Sequence, residues 1–424
     1  MFMKSRDPYD TLLVYEPFCF HQGTFVSSSR SLGFPNSVIC YCTTTLLQPI
    51  SSLGNDNMGD SQPSQEIPKT CKAGILVNEG PDFHIEVHSD IPVPTPGPNQ
   101  LLLRLNITGL CASDIHFCTN DLGFGIAMKD FGVRSPGHEG AGVVVAVGAG
   151  VENWKVGDRA GMRPMWDTCH MCEQCFGKEE QYCQKVVHTG LMVSGSYQEY
   201  VVTPANYTSR IPDGVPDELA GPIMCSASTM HCALREGGFK SSDWVVFPGG
   251  GGGVGVQGVQ LAKAMGMRPI VIDSGDAKKD LATRCGAEIF LDFKQESDLV
   301  AKVKEVTDGI GAHGVIVTAW QSYKDSLSYL GARVGGKVVC IGLPPAEANV
   351  VVGSSPTQFI MSKQSVTGAV VGTMQDTAMA LEYAKRGLLK PICEVRGTSQ
   401  WAESVQQLRR GEVAGRIVID FNKE

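Results

Sequence analysis

Apolar and polar positions along this chain follow two rhythms. From Lys72 onward, short apolar runs broken by proline and glycine, such as "AGILV", "LLLRLNITG", "GAGVVVAVG" and "QEYVVTP", predict strands of a small barrel-like domain. "MCSASTMHCALREGG" then reads as a helix. Beyond it, "WVVFPG", "PIVID", "IFLDF", "GVIVTA" and "GKVVCIG" predict strands, and "VGVQGVQLAKAMG", "AKKDLATRCGA", "DLVAKVKEVTDG" and "YKDSLSYLGARV" predict the helices between them. Such alternation gives an α/β fold with a parallel sheet wound on both faces. The final stretch, from "MALEYAKRGLLKP" to "GRIVIDF", is expected to return to the first domain. The expected divisions are residues 68–225, 226–367 and 368–424.

Residues 1–67 keep no sustained period and are rich in Ser, Gly, Asn and Pro, which predicts a disordered extension. Met58 offers an alternative start of translation. The serines would suit a mitochondrial transit peptide, whereas Asp7, Asp10, Glu16 and Asp56 oppose one. At 424 residues the chain exceeds one ordinary core, in keeping with two domains. A net charge of −8 without basic runs argues against a nucleic-acid partner, and no apolar stretch is long enough to span a membrane. The 15 cysteines are an odd number with no disulfide-type spacing, so a reducing, cytoplasmic setting is expected.

Three motifs carry chemistry. The first is the glycine run of "VVFPGGGGGVGVQGVQLAKAMG", with Gly250, Gly252, Gly253 and Gly255 between a strand and a helix. Glycines there let the backbone approach a pyrophosphate, and the helix start offers free N–H groups and a positive dipole end. Val254, Gly258, Leu261, Ala262 and Met265 are spaced to pack one face of that helix. Asp273 ends the next strand, where a carboxylate accepts hydrogen bonds from ribose hydroxyls and repels a 2′-phosphate, favouring NAD over NADP. Lys278 is within reach of the same ribose.

The second motif is "TCHMCEQCFGKEEQYC", residues 168–183. Cys169, Cys172, Cys175 and Cys183 have the spacing to close tetrahedrally on one zinc, leaving no open position, so this zinc should be structural. The third is dispersed: "GLCASDIH", "PGHEGAG" and "IMCSAST" supply Cys111, His138 and Cys225. Together these make a Cys₂His set whose fourth position stays open, the ligand set of a catalytic zinc in alcohol oxidation.

These motifs, in this order, resemble the zinc-dependent medium-chain alcohol dehydrogenases, closest to the yeast-type branch, over residues 70–422. The resemblance implies a GroES-like β-rich catalytic domain and a Rossmann NAD-binding domain, with the site in the cleft between them. It implies two zinc ions per chain, NAD, a small alcohol or carbonyl substrate, and a homodimer or homotetramer. It assigns Asp114 to orient His138, Glu139 to a place behind the catalytic zinc with transient ligation, Thr229 to the nicotinamide and Arg416 to the pyrophosphate. It also implies that the alcohol proton leaves through Ser113 and a ribose hydroxyl to His116 while hydride passes to NAD⁺. Ala112 departs from the pattern, since the family commonly places Arg or His there against the pyrophosphate. Trp166, Leu122, Phe124 and Met165 are candidate pocket residues. Reduction of a specialised carbonyl metabolite with NADH is an alternative reading of the same chemistry. A non-catalytic nucleotide-binding protein would be expected to have lost a ligand or the Ser–His pair, and Cys111, His138 and Cys225 argue against a zinc-free quinone or enoyl reductase.

Overall fold

A computed structural model describes residues 66–424; all but the last two residues of the expected N-terminal extension, and the Met58 start, lie outside the described residues. The described residues begin with nine strands: β1 (Thr70–Val77), β2 (His84–Pro92), β3 (Gln100–Gly109), β4 (Gly140–Val147), β5 (Arg159–Met162), β6 (Met165–Asp167), β7 (Val187–His188), β8 (Tyr200–Pro204) and β9 (Ser209–Arg210). Helices α1 (Ala112–Thr119) and α2 (Glu173–Phe176) interrupt them, and α3 (Asp217–Pro222) and α4 (Ser228–Gly237) follow. A seven-stranded sheet takes in β3, β4, β5, β8 and β9 of this region.

The second rhythm becomes β10 (Trp244–Pro248), β11 (Arg268–Asp273), β12 (Ile289–Asp292), β13 (Gly314–Val317), β14 (Lys337–Cys340) and β15 (Ser365–Gly368). They form one parallel sheet in the order β12-β11-β10-β13-β14-β15. Its helices are α5 (Gly253–Ala264), α6 (Asp276–Arg284), α7 (Leu299–Val306), α8 (Tyr323–Ser326) and α9 (Pro356–Ser362). β10 is buried along its whole length, which explains its continuous rather than alternating apolar pattern. The helix expected over "YKDSLSYLGARV" is reduced to α8 and a separate 3₁₀ turn, Ser328–Leu330.

The chain then adds α10 (Met374–Lys385), β16 (Cys393–Arg396), α11 (Trp401–Arg409) and β17 (Arg416–Asp420). β17 pairs antiparallel with β3, joining the end of the chain to the first sheet. Trp401 and Phe421 anchor this return, with ring centroids 5.1 Å from Tyr197 to Trp401 and 5.5 Å from Trp401 to Phe421. One apolar core joins the two sheets: Ile107 and Ala141 of the first pack in the same cluster as Val245, Phe247 and Val271 of the second, with α4 and α5 between. This explains a departure from the expected one-sided packing of α5. The helix is buried from Gly255 to Ala262, while Val254 lines a cleft and Met265 is only half-buried.

Candidate functional site

Cys111 and His138 are brought together by strand register. β3 ends at Gly109, just before Cys111, and β4 begins at Gly140, just after His138; the two strands pair antiparallel with Thr108 opposite Gly140. His138 follows Gly137, whose φ of +91° is a conformation that L side chains rarely adopt. Cys225 arrives from the other side, on a π-helical turn, Ile223–Ala227, inserted after Pro222. Such turns are frequent at functional sites. Gly221 lets this segment close on β3 and β4, since a Cβ there would lie 2.8 Å from the Glu139 carbonyl oxygen.

Cys111, His138, Glu139 and Cys225 are all buried, with one donor atom of each within 4.8 Å of the others. The Cys111 thiol is held well below its ordinary range, mainly by its hydrogen bond with Cys225 and then by His138 and the Arg416 charge, against the effect of burial. Burial alone would lower His138, but Asp114 and Cys111 raise it to about 10. A thiolate facing an imidazolium that an entering metal would deprotonate is a donor set suited to zinc. Asp114 Oδ1 lies 2.8 Å from His138 Nδ1. Neither atom has a well-aligned hydrogen bond, so the contact is electrostatic. Asp114 Oδ2 accepts from the Cys111 amide at 3.0 Å and the Tyr197 hydroxyl at 3.3 Å, which fixes the carboxylate behind the ligands.

Glu139 has a stronger partner than a transient ligand would need. Arg416 binds it through two nitrogens, Nε at 3.1 Å from Oε2 and Nη2 on Oε1, and both residues are buried. The two lie 277 positions apart. Arg416 Nη1 faces the start of α5, where a Cβ on Gly253 would sit 2.8 Å from it. One guanidinium thus connects the cluster of Cys111, His138, Glu139 and Cys225 to the glycine turn.

In that turn α5 begins at Gly253 with Gly252 as its cap. The left-handed residue is Gly249, φ +81°, which the candidate set had missed. Five consecutive glycines hid which of them bears the turn. Gly255 allows close packing, because a Cβ there would lie 2.5 Å from the Gly249 carbonyl oxygen and from the Gly250 Cα. Asp273 accepts from the Gly251 amide at 3.0 Å, the Ser274 amide at 2.9 Å and Lys278 Nζ at 3.0 Å. Asp273 and Lys278 border a cavity of about 370 Å³.

A larger cleft of about 1080 Å³ is lined by Cys111, Cys225, Ser113, His116, Thr229 and Val254. Leu408, Arg409 and Gly411 contribute to it as well, and Gly411 lines both cavities. Ser113 Oγ is 3.1 Å from Cys111 Sγ, and Thr229 Oγ1 donates to the Cys225 carbonyl at 2.7 Å. At Ala112 the cleft wall carries no charge; Arg409 is the one lysine or arginine among the residues lining it. The four residues expected in the pocket lie elsewhere. Met165 is buried at the start of β6, Phe124 is 57% exposed, and neither these nor Trp166 and Leu122 line the cleft. Its bulky walls are Tyr182, Trp320, Tyr323, Leu343 and Val371, scattered over loops, short turns and the start of α8 that no sequence period marks.

The second cysteine group also closes. Donor atoms of Cys169, Cys172, Cys175 and Cys183 lie within 4.8 Å of one another. The Cys172–Cys175 and Cys169–Cys175 sulfur separations are 3.5 and 3.9 Å. A tetrahedron with Zn–S near 2.3 Å has edges of about 3.8 Å, so the thiols fit a zinc ion. The Met171 amide, with Cys172 and Cys183, pulls the Cys169 thiol down to about 6.

Comparison with known proteins agrees with this geometry. Residues 97–213 match the family described as alcohol dehydrogenase GroES-like domain, and residues 253–386 match zinc-binding dehydrogenase. The chain is 39% identical over 359 residues to an alcohol dehydrogenase of Schizosaccharomyces pombe, covering 84% of this chain and 99% of that protein. It is 34% identical over 338 residues to alcohol dehydrogenase 1 of Emericella nidulans, covering 79% and 94%. Among solved structures it is similar to an NAD-dependent alcohol dehydrogenase (TM-score 0.72, 26% identity, 82% of this chain and 99% of that one). It is also similar to a cinnamyl alcohol dehydrogenase from Sorghum bicolor (TM-score 0.71, 26% identity, 82% and 97%).

Proposed function

We propose that this chain, which belongs to the zinc-dependent alcohol dehydrogenases, interconverts an alcohol and its carbonyl compound in the cleft beside Cys111, His138 and Cys225, and that it carries two zinc ions. Zinc bound by those three residues supplies Lewis acidity toward the alcohol oxygen, and bound NAD supplies the hydride acceptor. Everything else is the work of the chain. Ser113, beside Cys111, receives the alcohol proton, and His116 delivers it toward solvent. Thr229 supports the nicotinamide side of the cleft. Arg416 Nη1 and the first turn of α5 face the pyrophosphate with a cation and a positive dipole end. Asp273 accepts from the adenosine ribose hydroxyls, with Lys278 alongside. The cluster of Cys169, Cys172, Cys175 and Cys183, with no open position, takes the second zinc as a structural ion.

The observation that carries this reading is the opening of the buried Cys₂His cluster into a cleft also lined by Ser113, His116, Thr229 and Val254. Among the described residues no helix is long and apolar enough to cross a membrane. Exposed Val351, Ile360 and Met361, on the segment of chain that leads into the edge strand β15, support self-association into a dimer or tetramer. The cysteine usage supports a cytoplasmic setting, or a mitochondrial one if residues 1–67 act as a transit peptide.

The test is elemental analysis of zinc together with NAD⁺ reduction over a panel of alcohols. Wild type is expected to hold about two zinc ions per chain and to turn over. Cys111→Ser is expected to lose turnover by more than about 100-fold while still binding NADH. Undiminished turnover in Cys111→Ser would remove this cluster from the mechanism.

A further inference from the structure

His116, read above as the outlet of the proton, is held by a residue that its own motif does not contain. It sits in the last turn of α1, and Asn120 caps that helix in the left-handed conformation, φ 54°, with its amide on the His116 and Phe117 carbonyls. The Asp121 amide then approaches the His116 carbonyl at 3.4 Å. This reversal carries the Asp121 side chain back over the helix end, where Oδ1 lies 2.6 Å from His116 Nδ1. Both side chains are largely covered, at 16% and 28% exposure, and both residues line the cleft. A carboxylate accepts only, so Nδ1 carries the proton and Nε2 of the neutral ring keeps its lone pair free.

The same residue touches the other domain. The Asp121 carbonyl accepts from the Ala346 amide at 2.8 Å. Ala346 follows Leu343 and Pro344, which line the cleft on the loop after β14. Gly123 permits this approach: its φ is +70°, and a Cβ there would lie 2.9 Å from the Ala346 Cβ. The loop that walls the cleft therefore rests on the residue that orients the histidine.

We propose that Asp121 is a positioning residue for proton release: it fixes the tautomer and orientation of His116 so that Nε2 faces the cleft, and its backbone ties that orientation to the docked loop after β14. The inference rests on the reading of His116 as proton acceptor. In the step concerned, Nε2 gains the proton given up on the alcohol side and later passes it to water, with no change of oxidation state.

The experiment measures alcohol oxidation in Asp121→Ala, His116→Ala and the double variant, with NADH affinity by fluorescence titration and with added imidazole as a free base. Asp121→Ala is expected to lower kcat by about 10- to 100-fold, within the range of a positioned base. NADH affinity should stay within about threefold, and imidazole should restore part of the rate. The double variant should be no slower than His116→Ala, because the two residues act as one unit. Asp121→Asn, which keeps an acceptor facing Nδ1, should retain more activity than Asp121→Ala. If His116→Ala is slow and Asp121→Ala is as fast as wild type, Asp121 has no positioning role while the relay stands. If Asp121→Ala is slow but unresponsive to imidazole, with weaker NADH binding, its role is structural and the proposal is overturned. Full activity in His116→Ala would instead overturn the relay itself.

Discussion

Replacing Asp273 tests the cofactor end of the site. Its carboxylate is nearly buried at the end of β11 and is satisfied by two amides and Lys278. A 2′-phosphate on the ribose would bring a second negative charge to within about 5–7 Å, and at an effective dielectric constant near 20 one pair of unit charges at that separation costs about 3 kcal/mol. That corresponds to about 100-fold discrimination against NADP. Asp273→Gly removes the charge and also frees Lys278 to meet the phosphate. The variant also loses charge-assisted hydrogen bonds to the ribose of NAD, each worth about 1.5–3 kcal/mol, so kcat/KM for NAD⁺ should fall about 10- to 100-fold. Asp273→Asn separates charge from shape, because its amide oxygen can still accept from the Gly251 N–H. The assay is kcat/KM for NAD⁺ and for NADP⁺ with one alcohol. The NADP/NAD ratio should rise by about 100-fold or more in Asp273→Gly and by a smaller factor in Asp273→Asn. A ratio that moves by less than about threefold in both variants refutes the assignment, even if both enzymes are slow.

Two further outcomes concern stability. Cys172→Ser should reduce zinc from about two ions per chain to about one and lower Tm by on the order of 10 °C, since a structural zinc contributes directly to folding; unchanged zinc content in elemental analysis would reject the structural site. Asp376 caps α10 together with Thr373 and binds His231 Nδ1 at 2.7 Å and Arg235 at 3.3 Å. Burial opposes ionisation there, but His231 and Arg235 outweigh it and hold the carboxyl well below its ordinary range. The folded value is depressed, so the stabilisation is complete above the unfolded carboxylate value of about 3.9 and is lost as pH falls toward the lower folded value. Asp376→Asn should therefore cost about 2–3 kcal/mol in denaturant unfolding at pH 7 and show a shallower loss below about pH 4. Equal acid sensitivity in the two proteins would show that another carboxylate governs it.

What the sequence determined by itself is short-range. The spacing of Cys169, Cys172, Cys175 and Cys183, the passage from strand through glycines to helix at 244–264, and the alternation of strands with helices are written in consecutive residues. Local sterics and hydrogen bonding act over such distances, so these features could be read without coordinates. The identities of Cys111, His138 and Cys225 were legible as well, through their motifs. Their convergence depends on the β3–β4 register and on Gly221 packing α3 against both strands, which only the fold fixes. The pairing of Arg416 with Glu139 arises because β17 returns to β3, so the cation expected at the pyrophosphate also braces the carboxylate clustered with Cys111, His138 and Cys225. The cleft walls at Tyr182, Trp320 and Leu343, and the contact of Asp121 with Ala346, likewise come from loops that meet only when two sheets share one apolar core. A loop side chain carries no periodic signal. Its position is set by the elements packed beneath it, and that packing is a property of the whole chain.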